Sequence, residues 1–541
     1  MSIRRSLTQL LIACLLSLPV LVHAQANDEQ AQSLLAQLAD GSYSQKAGIV
    51  GEIARSGDDR ARGWLEAFSD GKLARIDPSS DDAEGSRDFV IVLSNRGRNW
   101  KVQDALTGED LGEMSRRDLD TIRVNNSLRS EIDSILSVID LTVDDADQRL
   151  DAARGLRGSV DEAMAAKLAE LMADEDDAAV RATLQEAIAI HRVEDLGDVD
   201  AVATLSGSLN SEARAALNTA TYSDDPALKA AAEDALATIE TKLKWNRAAE
   251  TLYFGLSLGS VLVLAAIGLA ITFGVMGVIN MAHGELIMLG AYTTWGMQQL
   301  LPGQPGLALL LSIPAGFLVA ALAGVAIERS VIQFLKGRPL ETLLATFGIS
   351  LILQQLVRTV ISPLNRTVIT PEWMSGSIMV NEALSLTLNR LYIIGFALIV
   401  FAGLMLIMRK TRLGLEVRAV TQNRAMARSM GIKATKVDIM TFALGSGVAG
   451  LAGVALSQIT NVGPNLGQNY IIDSFMVVVF GGVGNLWGTL VAGLSLGTIN
   501  QLLEPWAGAV LAKIVVLVFI ILFIQKRPRG LFPQKGRAAE G

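Results

Sequence analysis

The polypeptide changes character near residue 245, and no single soluble fold accommodates both sides of the change. Residues 1–245 carry 26 Lys+Arg against 44 Asp+Glu, a net charge of −18; residues 246–541 carry 21 against 11, a net charge of +10. The acidic part has the composition of a soluble domain. The basic part contains a run, Leu252 to Gly274, with no charged residue in it. As an α-helix such a run crosses about 30 Å of hydrocarbon. The aromatic residues Trp245, Tyr253 and Phe254 suit one interface of that crossing.

Eight further apolar runs follow, at about 282–300, 306–327, 342–362, 391–408, 438–460, 468–483, 486–503 and 508–525. The expectation is an all-α polytopic membrane protein of about 8–10 transmembrane helices, nine on this reading, over 250–528. Arg329, Lys336 and Arg338 lie between the third and fourth runs. Lys410 to Lys436 holds seven basic residues between the fifth and sixth, and Lys526, Arg527 and Arg529 follow the ninth. With nine spans all three clusters fall on one side, which the positive-inside bias makes cytoplasmic. Residues 529–541 are then a cytoplasmic tail.

The N-terminus agrees with that orientation. Met1 to Arg5 is basic, Leu7 to Val22 is mostly apolar, and Ala24-Gln25-Ala26 resembles a small-residue cleavage site. Residues 1–24 thus read as a signal peptide, and 25–245 as an extracytoplasmic, mostly helical domain. A lipoprotein box at Leu11 to Cys14 is the less favoured reading, because the apolar run continues past Cys14. Within the domain, Asp176-Asp177 and Asp224-Asp225 each precede a basic residue and an apolar helical face. The 48-residue offset suggests HEAT-like repeats. Asp88 to Leu93 and Trp100 to Val102, separated by Asn95 to Arg98, predict a small β-hairpin.

Several function classes drop out. Cys14 is the one cysteine, and the histidines are the dispersed His23, His191 and His283. No disulfide, metal or other cofactor is predicted. No G-x-x-x-x-G-K-[ST] is present, so the chain cradles no nucleotide phosphate, and no nucleophile stands in a catalytic setting. The chain is not read as an enzyme. Its basic residues sit at span ends rather than among aromatics, so nucleic acid is not expected as a partner; membrane lipid is.

Polar residues inside an interrupted apolar segment are costly, and they line a cavity or fix a helix break. On that ground Asn280, His283 and Glu285 are candidates for a substrate pathway, or for a cap on the second span. Gln354 and Ser446 join them as mid-span hydrogen-bonding groups, beside Ser350. The spans hold few ionisable groups, with Asp473 and Lys513 near span ends, which favours a small solute without net charge. The second candidate region is the basic segment Thr411 to Lys436, where Arg424, Ala425, Ala427 and Gly431 precede span six. Gly481-Gly482-Val483-Gly484 predicts a break between spans seven and eight.

Three long stretches carry a family resemblance. GVINMAHGELIMLGAY at Gly277–Tyr292 resembles the signature of the branched-chain amino-acid type of ABC transporter permease, the LivH-like family. GLEVRAVTQNRAMARSMGIKATKVDIMTFALGSGVAG at Gly414–Gly450 is similar to its cytoplasmic coupling loop and following span. FGGVGNLWGTLVAGLSLG at Phe480–Gly497 is similar to its Gly-rich late segment. Within that family the N-terminal extension, with Asn125-Asn126-Ser127-Leu128-Arg129, resembles that of urea permease subunits. The resemblance implies an inner-membrane importer subunit, with urea the leading substrate and a branched-chain amino acid the alternative. It further implies a second permease subunit, two cytoplasmic ATPase subunits and a periplasmic solute-binding protein as partners. Arg424, Ala425, Ala427 and Gly431 map onto the ATPase coupling loop, with Arg424 where the family's pattern has Glu. A membrane receptor with an extracytoplasmic ligand domain is the alternative from another class, and it predicts a cytoplasmic signalling module.

Overall fold

A computed structural model describes residues 28–532, apart from 57, 59, 78–87 and 96. The predicted signal peptide, Cys14 and the tail from 533 lie outside the described residues. The chain divides into two compact units, residues 1–241 and 242–541.

The first unit begins with helices at 28–40 (α1), Tyr43–Arg55 (α2) and Ala61–Ser69 (α3). Five strands follow: β1 (Leu73–Ile76), β2 (Phe89–Ser94), β3 (Asn99–Asp104), β4 (Asp110–Ser115) and β5 (Leu119–Thr121). They form one antiparallel sheet in the order β4-β3-β2-β1-β5. The predicted hairpin is β2–β3, with Val92 opposite Val102. The expectation of a hairpin alone falls short, because β1, β4 and β5 are strands too. Each is only three to six residues long and holds Arg75, Glu113 or Asp120, so no alternating apolar run marks them. Side chains alternate across the sheet. Leu73 and Phe89 pack with Trp64, Phe68 and Leu35 of the helices, whereas Ala74, Val90, Val92 and Val102 form a second cluster on the other face.

Helices Asn126–Asp140 (α4), Ala146–Gly155 (α5), Glu162–Asp174 (α6), Ala178–Glu194 (α7), Val199–Leu205 (α8) and Ser211–Ala220 (α9) complete this unit. Their starts are set by short polar side chains that take up backbone donors the helix cannot satisfy itself. Asn125 Oδ1 accepts from Leu128 N at 2.8 Å, and Asp161 Oδ1 from Met164 N at 2.8 Å. Asp177, in the first of the two similar Asp-Asp segments, accepts from Ala179 and Val180. Asp225, in the second, accepts from Ala227 at the start of α10 (Pro226–Met276).

The second unit holds the rest of α10, then α11 (His283–Leu300), α12 (Pro305–Ser330), α13 (Pro339–Val360), a hairpin of β6 (Ser377–Asn381) and β7 (Leu384–Thr387), and α14 (Leu388–Lys410). There follow α15 (Arg412–Gln422), α16 (Arg424–Ser429), α17 (Ala434–Leu456), α18 (Leu466–Gly481) and α19 (Leu486–Lys526). Among the described residues six helices are long and apolar enough to cross a membrane: α10, α12, α13, α14, α17 and α19. The nine expected spans map differently. α11 carries Glu285 and ends in polar residues, and α18 has 16 residues. The eighth and ninth runs are two arms of α19, separated at Gly508 (φ 75°, ψ 159°).

Glycines set how closely these helices cross. Gly290 of α11, Gly450 of α17 and Gly316 of α12 meet backbone to backbone. A Cβ on Gly290 would overlap the Gly450 carbonyl, and a Cβ on Gly450 would overlap that of Gly316. The predicted Gly445, Ala449, Gly453 stripe lies on the same helix: Gly445 faces Gly268 of α10, and Gly453 faces Ile287 of α11. By contrast α13 and the second arm of α19 leave large side chains exposed, among them Leu344, Ile352, Val510 and Val518. Such faces are those lipid would cover.

Candidate functional site

The break between α10 and α11 is built by the predicted polar residues. α10 ends at Met276, and Gly277 takes φ 67°, a left-handed turn that glycine adopts without strain. Asn280 then braces the turn just before α11, its Oδ1 accepting from Ala282 N at 3.0 Å, and the helix itself starts without a side-chain cap. His283 is buried, and its Nε2 donates to the Ala265 carbonyl at 2.9 Å, tying the start of α11 back to α10. Thr346 of α13 accepts from Met281 N at 3.1 Å. Asn280 and His283 therefore hold the break in place, although Asn280 Nδ2 and His283 Nδ1 are buried without a partner in the described structure.

Glu285 does something else. From the first turn of α11 its carboxylate reaches across to α13. Oε1 accepts from Ser350 Oγ at 2.9 Å and from Gln354 Nε2 at 2.7 Å, and Gln354 also reaches Ser350 Oγ at 3.3 Å. All three residues are buried. Ser350 and Gln354 stand one helical turn apart, so both face the same partner. Glu285 Oε2 has no hydrogen-bond partner among the described residues. A buried carboxylate oxygen left bare is expensive, and it suits a ligand that brings N–H or O–H donors.

Ser446 stands apart from this group. It lies on α17 against Gly324 of α12, and its Oγ makes no hydrogen bond in the described structure. The structure thus joins Glu285 to Gln354, assigns Asn280 and His283 to the break, and leaves Ser446 at a helix crossing. Asp473 and Lys513, both noted near span ends, pair at 3.0 Å.

The basic segment folds into two short helices. Asn423 ends α15 and caps α16, its Oδ1 accepting from Met426 N at 2.9 Å. Ala427 is buried with Val417, Val420, Ala434 and Val437. Gly431 closes α16: its N–H bonds to Arg428 O and Ile432 N–H to Ala427 O, both at 3.0 Å, with φ 86° at Gly431. This is a left-handed helix stop that favours glycine for its backbone. Ala425, Met426 and Met430 remain exposed on the other side.

Three residues here were not predicted as site residues. Glu328 and Asp438 are fully buried. Lys336 donates to Glu328 Oε1 at 3.1 Å and to Asp438 Oδ2 at 2.8 Å, and Arg424 donates to the same Asp438 oxygen. The available signal was a single acidic residue at the edge of each of two basic segments.

A family model described as branched-chain amino acid transport system / permease component matches residues 251–524. The high-affinity branched-chain amino acid transport system permease protein LivH of Salmonella typhimurium is 29% identical over 292 residues, covering 52% of this chain and 94% of that protein. The corresponding BraD of Pseudomonas aeruginosa is 29% identical over 287 residues, covering 51% and 93%. The ribose import permease protein RbsC of Escherichia coli is 28% identical over 229 residues, covering 40% and 70%. No solved structure matches the chain.

Proposed function

The chain belongs to the branched-chain amino acid transport system permease family, and from that premise we propose that it is the inner-membrane subunit through which an ATP-binding-cassette importer passes a small neutral polar solute, with urea the leading candidate. The observation that carries the substrate class is the buried Glu285, Ser350 and Gln354 cluster with its bare carboxylate oxygen. Urea presents two N–H2 groups and a carbonyl, a fit to a carboxylate beside an amide and a hydroxyl. The extension at residues 25–245 supports urea over the alternative, because it resembles that of urea permease subunits. A branched-chain amino acid is the second reading, and the names of the LivH and BraD relatives favour it. Its ammonium would also suit Glu285.

In this reading the N-terminal unit is extracytoplasmic with a HEAT-like helical layer, and residues 410–437 face the cytoplasm. A second permease subunit, two ATPase subunits and a periplasmic solute-binding protein complete the importer. Asn280, His283, Glu285, Gln354 and Ser446 belong to the pathway, the first two by fixing its helix break. The test is uptake of labelled urea and labelled leucine by cells expressing the whole complex. Chain-dependent urea uptake is expected, falling at least tenfold with Glu285→Gln. Chain-dependent leucine uptake without urea uptake would overturn urea in favour of the amino acid.

A further inference from the structure

Four charged side chains from separate stretches of sequence converge beside the 424–429 helix. Glu328 lies in the last turns of α12, Lys336 in the link to α13, Arg424 at the start of α16, and Asp438 in the second turn of α17. Lys336 bridges the two buried carboxylates, and Arg424 adds a second cation on Asp438. The set is electrically balanced, two anions against two cations. The two carboxylates are fully buried and the two cations partly exposed, so losing Lys336 leaves Glu328 without a cation, and losing Arg424 leaves Asp438 with Lys336 alone.

The clasp joins elements that the apolar contacts join only in part. α12 and α17 already cross closely, Gly316 against Gly450 and Gly324 against Ser446. α16 has one buried side chain of its own, Ala427. Most of its remaining surface is exposed, including Met426 at 60%. A helix held by one alanine has little to transmit a push. We propose that Arg424, Lys336, Glu328 and Asp438 form an ionic clasp that fixes the 424–429 helix to α12 and α17, so that displacement of that helix by a soluble partner moves both spans as one body. The inference rests on the permease reading above. It gives Arg424 a partner, Asp438, in the place where the family's loop carries Glu. The four are positioning residues, since none lies in the Glu285 cluster.

Two measurements test it. Hydrogen exchange on the purified full-length chain in detergent should show residues 425–432 exchanging at least tenfold faster in Arg424→Gln and Asp438→Asn, with 445–455 unchanged. Arg424→Lys should stay within threefold of the unsubstituted chain. In the complete complex, Arg424→Gln should lower the maximal uptake rate at least tenfold with KM for the solute within twofold, while ATP hydrolysis continues. Unchanged exchange at 425–432, or a KM change at an unaltered maximal rate, overturns the clasp. Absence of ATP-driven uptake by the unsubstituted complex would instead refute the permease reading, and the exchange result would still decide whether the clasp holds the helix.

Discussion

The two units bury their cores by different means. In the first, Trp64, Phe68, Phe89 and Leu35 are almost wholly buried, and Trp64 Nε1 donates to the Ala105 carbonyl at 2.6 Å. Large apolar side chains leave water, at about 25 cal/mol per Å². In the second, close helix crossings are made by glycines, among them Gly290, Gly316, Gly445, Gly450 and Gly453. Lipid tails are as apolar as leucine, so helices in a bilayer gain little by burying leucine and more by close backbone approach. The same contrast extends to polar groups. The first unit uses polar side chains such as Asn125 and Asp161 to cap helices, whereas the second encloses Glu285, Ser350 and Gln354 between two helices. Where a chain buries side chains against water, volume is what matters; where it packs in lipid, the absence of a side chain is.

The sharpest way to break this comparison is to add a side chain at a crossing. Gly450→Leu should reduce recovery of monodisperse protein from detergent extracts more than tenfold, because Gly316 O and Ala320 Cβ occupy the space. Gly395→Ala, where a Cβ meets nothing within 4 Å, should stay within twofold. Normal recovery of Gly450→Leu by size-exclusion chromatography would mean that α11, α12 and α17 do not cross this way.

The converse change belongs to the first unit. Phe68→Ala removes a fully buried ring and should cost about 3–5 kcal/mol, read as a shift in the denaturant midpoint of that unit by near-ultraviolet circular dichroism. A loss below about 1 kcal/mol would place Phe68 outside a packed core.

The smallest effect concerns acid. The Asp58 carboxyl is held below the ordinary carboxylate range, chiefly by its hydrogen bond from Arg60. Arg60 also reaches Asp28 and the Leu106 carbonyl, so it ties three segments together. A carboxyl depressed on folding contributes stability that is present above its unfolded pKa of about 3.9 and lost as pH falls through the lower folded value. The thermal midpoint of the first unit should therefore fall below about pH 4, and Asp58→Asn should flatten that dependence. An identical pH profile in the variant would show that the Arg60 pair does not contribute.

Patterns of period and composition were readable; partnerships were not. The long apolar runs announced helices because each supplies its own hydrogen bonds. Asn280 and His283 marked an interrupted apolar segment, and Gly481 to Gly484 marked a break: α18 ends at Gly481, with Gly482 and Gly484 at φ 103° and 79°. The short strands β1, β4 and β5 escaped notice, since pairing across the sheet stabilises them more than their own residues do. That Gly431 serves as a helix stop within its segment was not legible, because the stop depends on the backbone bonds of Arg428 and Ala427. Glu328 and Asp438 gave no signal as a pair, being 110 residues apart in sequence.

The sequence by itself determined that this chain has an acidic unit followed by a basic, membrane-spanning one, because charge and hydropathy act residue by residue. It also determined the family, through three ordered motifs. Only the tertiary structure decided that Glu285 faces Ser350 and Gln354, that Arg424 closes on Asp438, and which glycines meet. Those outcomes depend on the rotation and crossing of helices distant in sequence, and a helix fixes its own hydrogen bonds without fixing its neighbours.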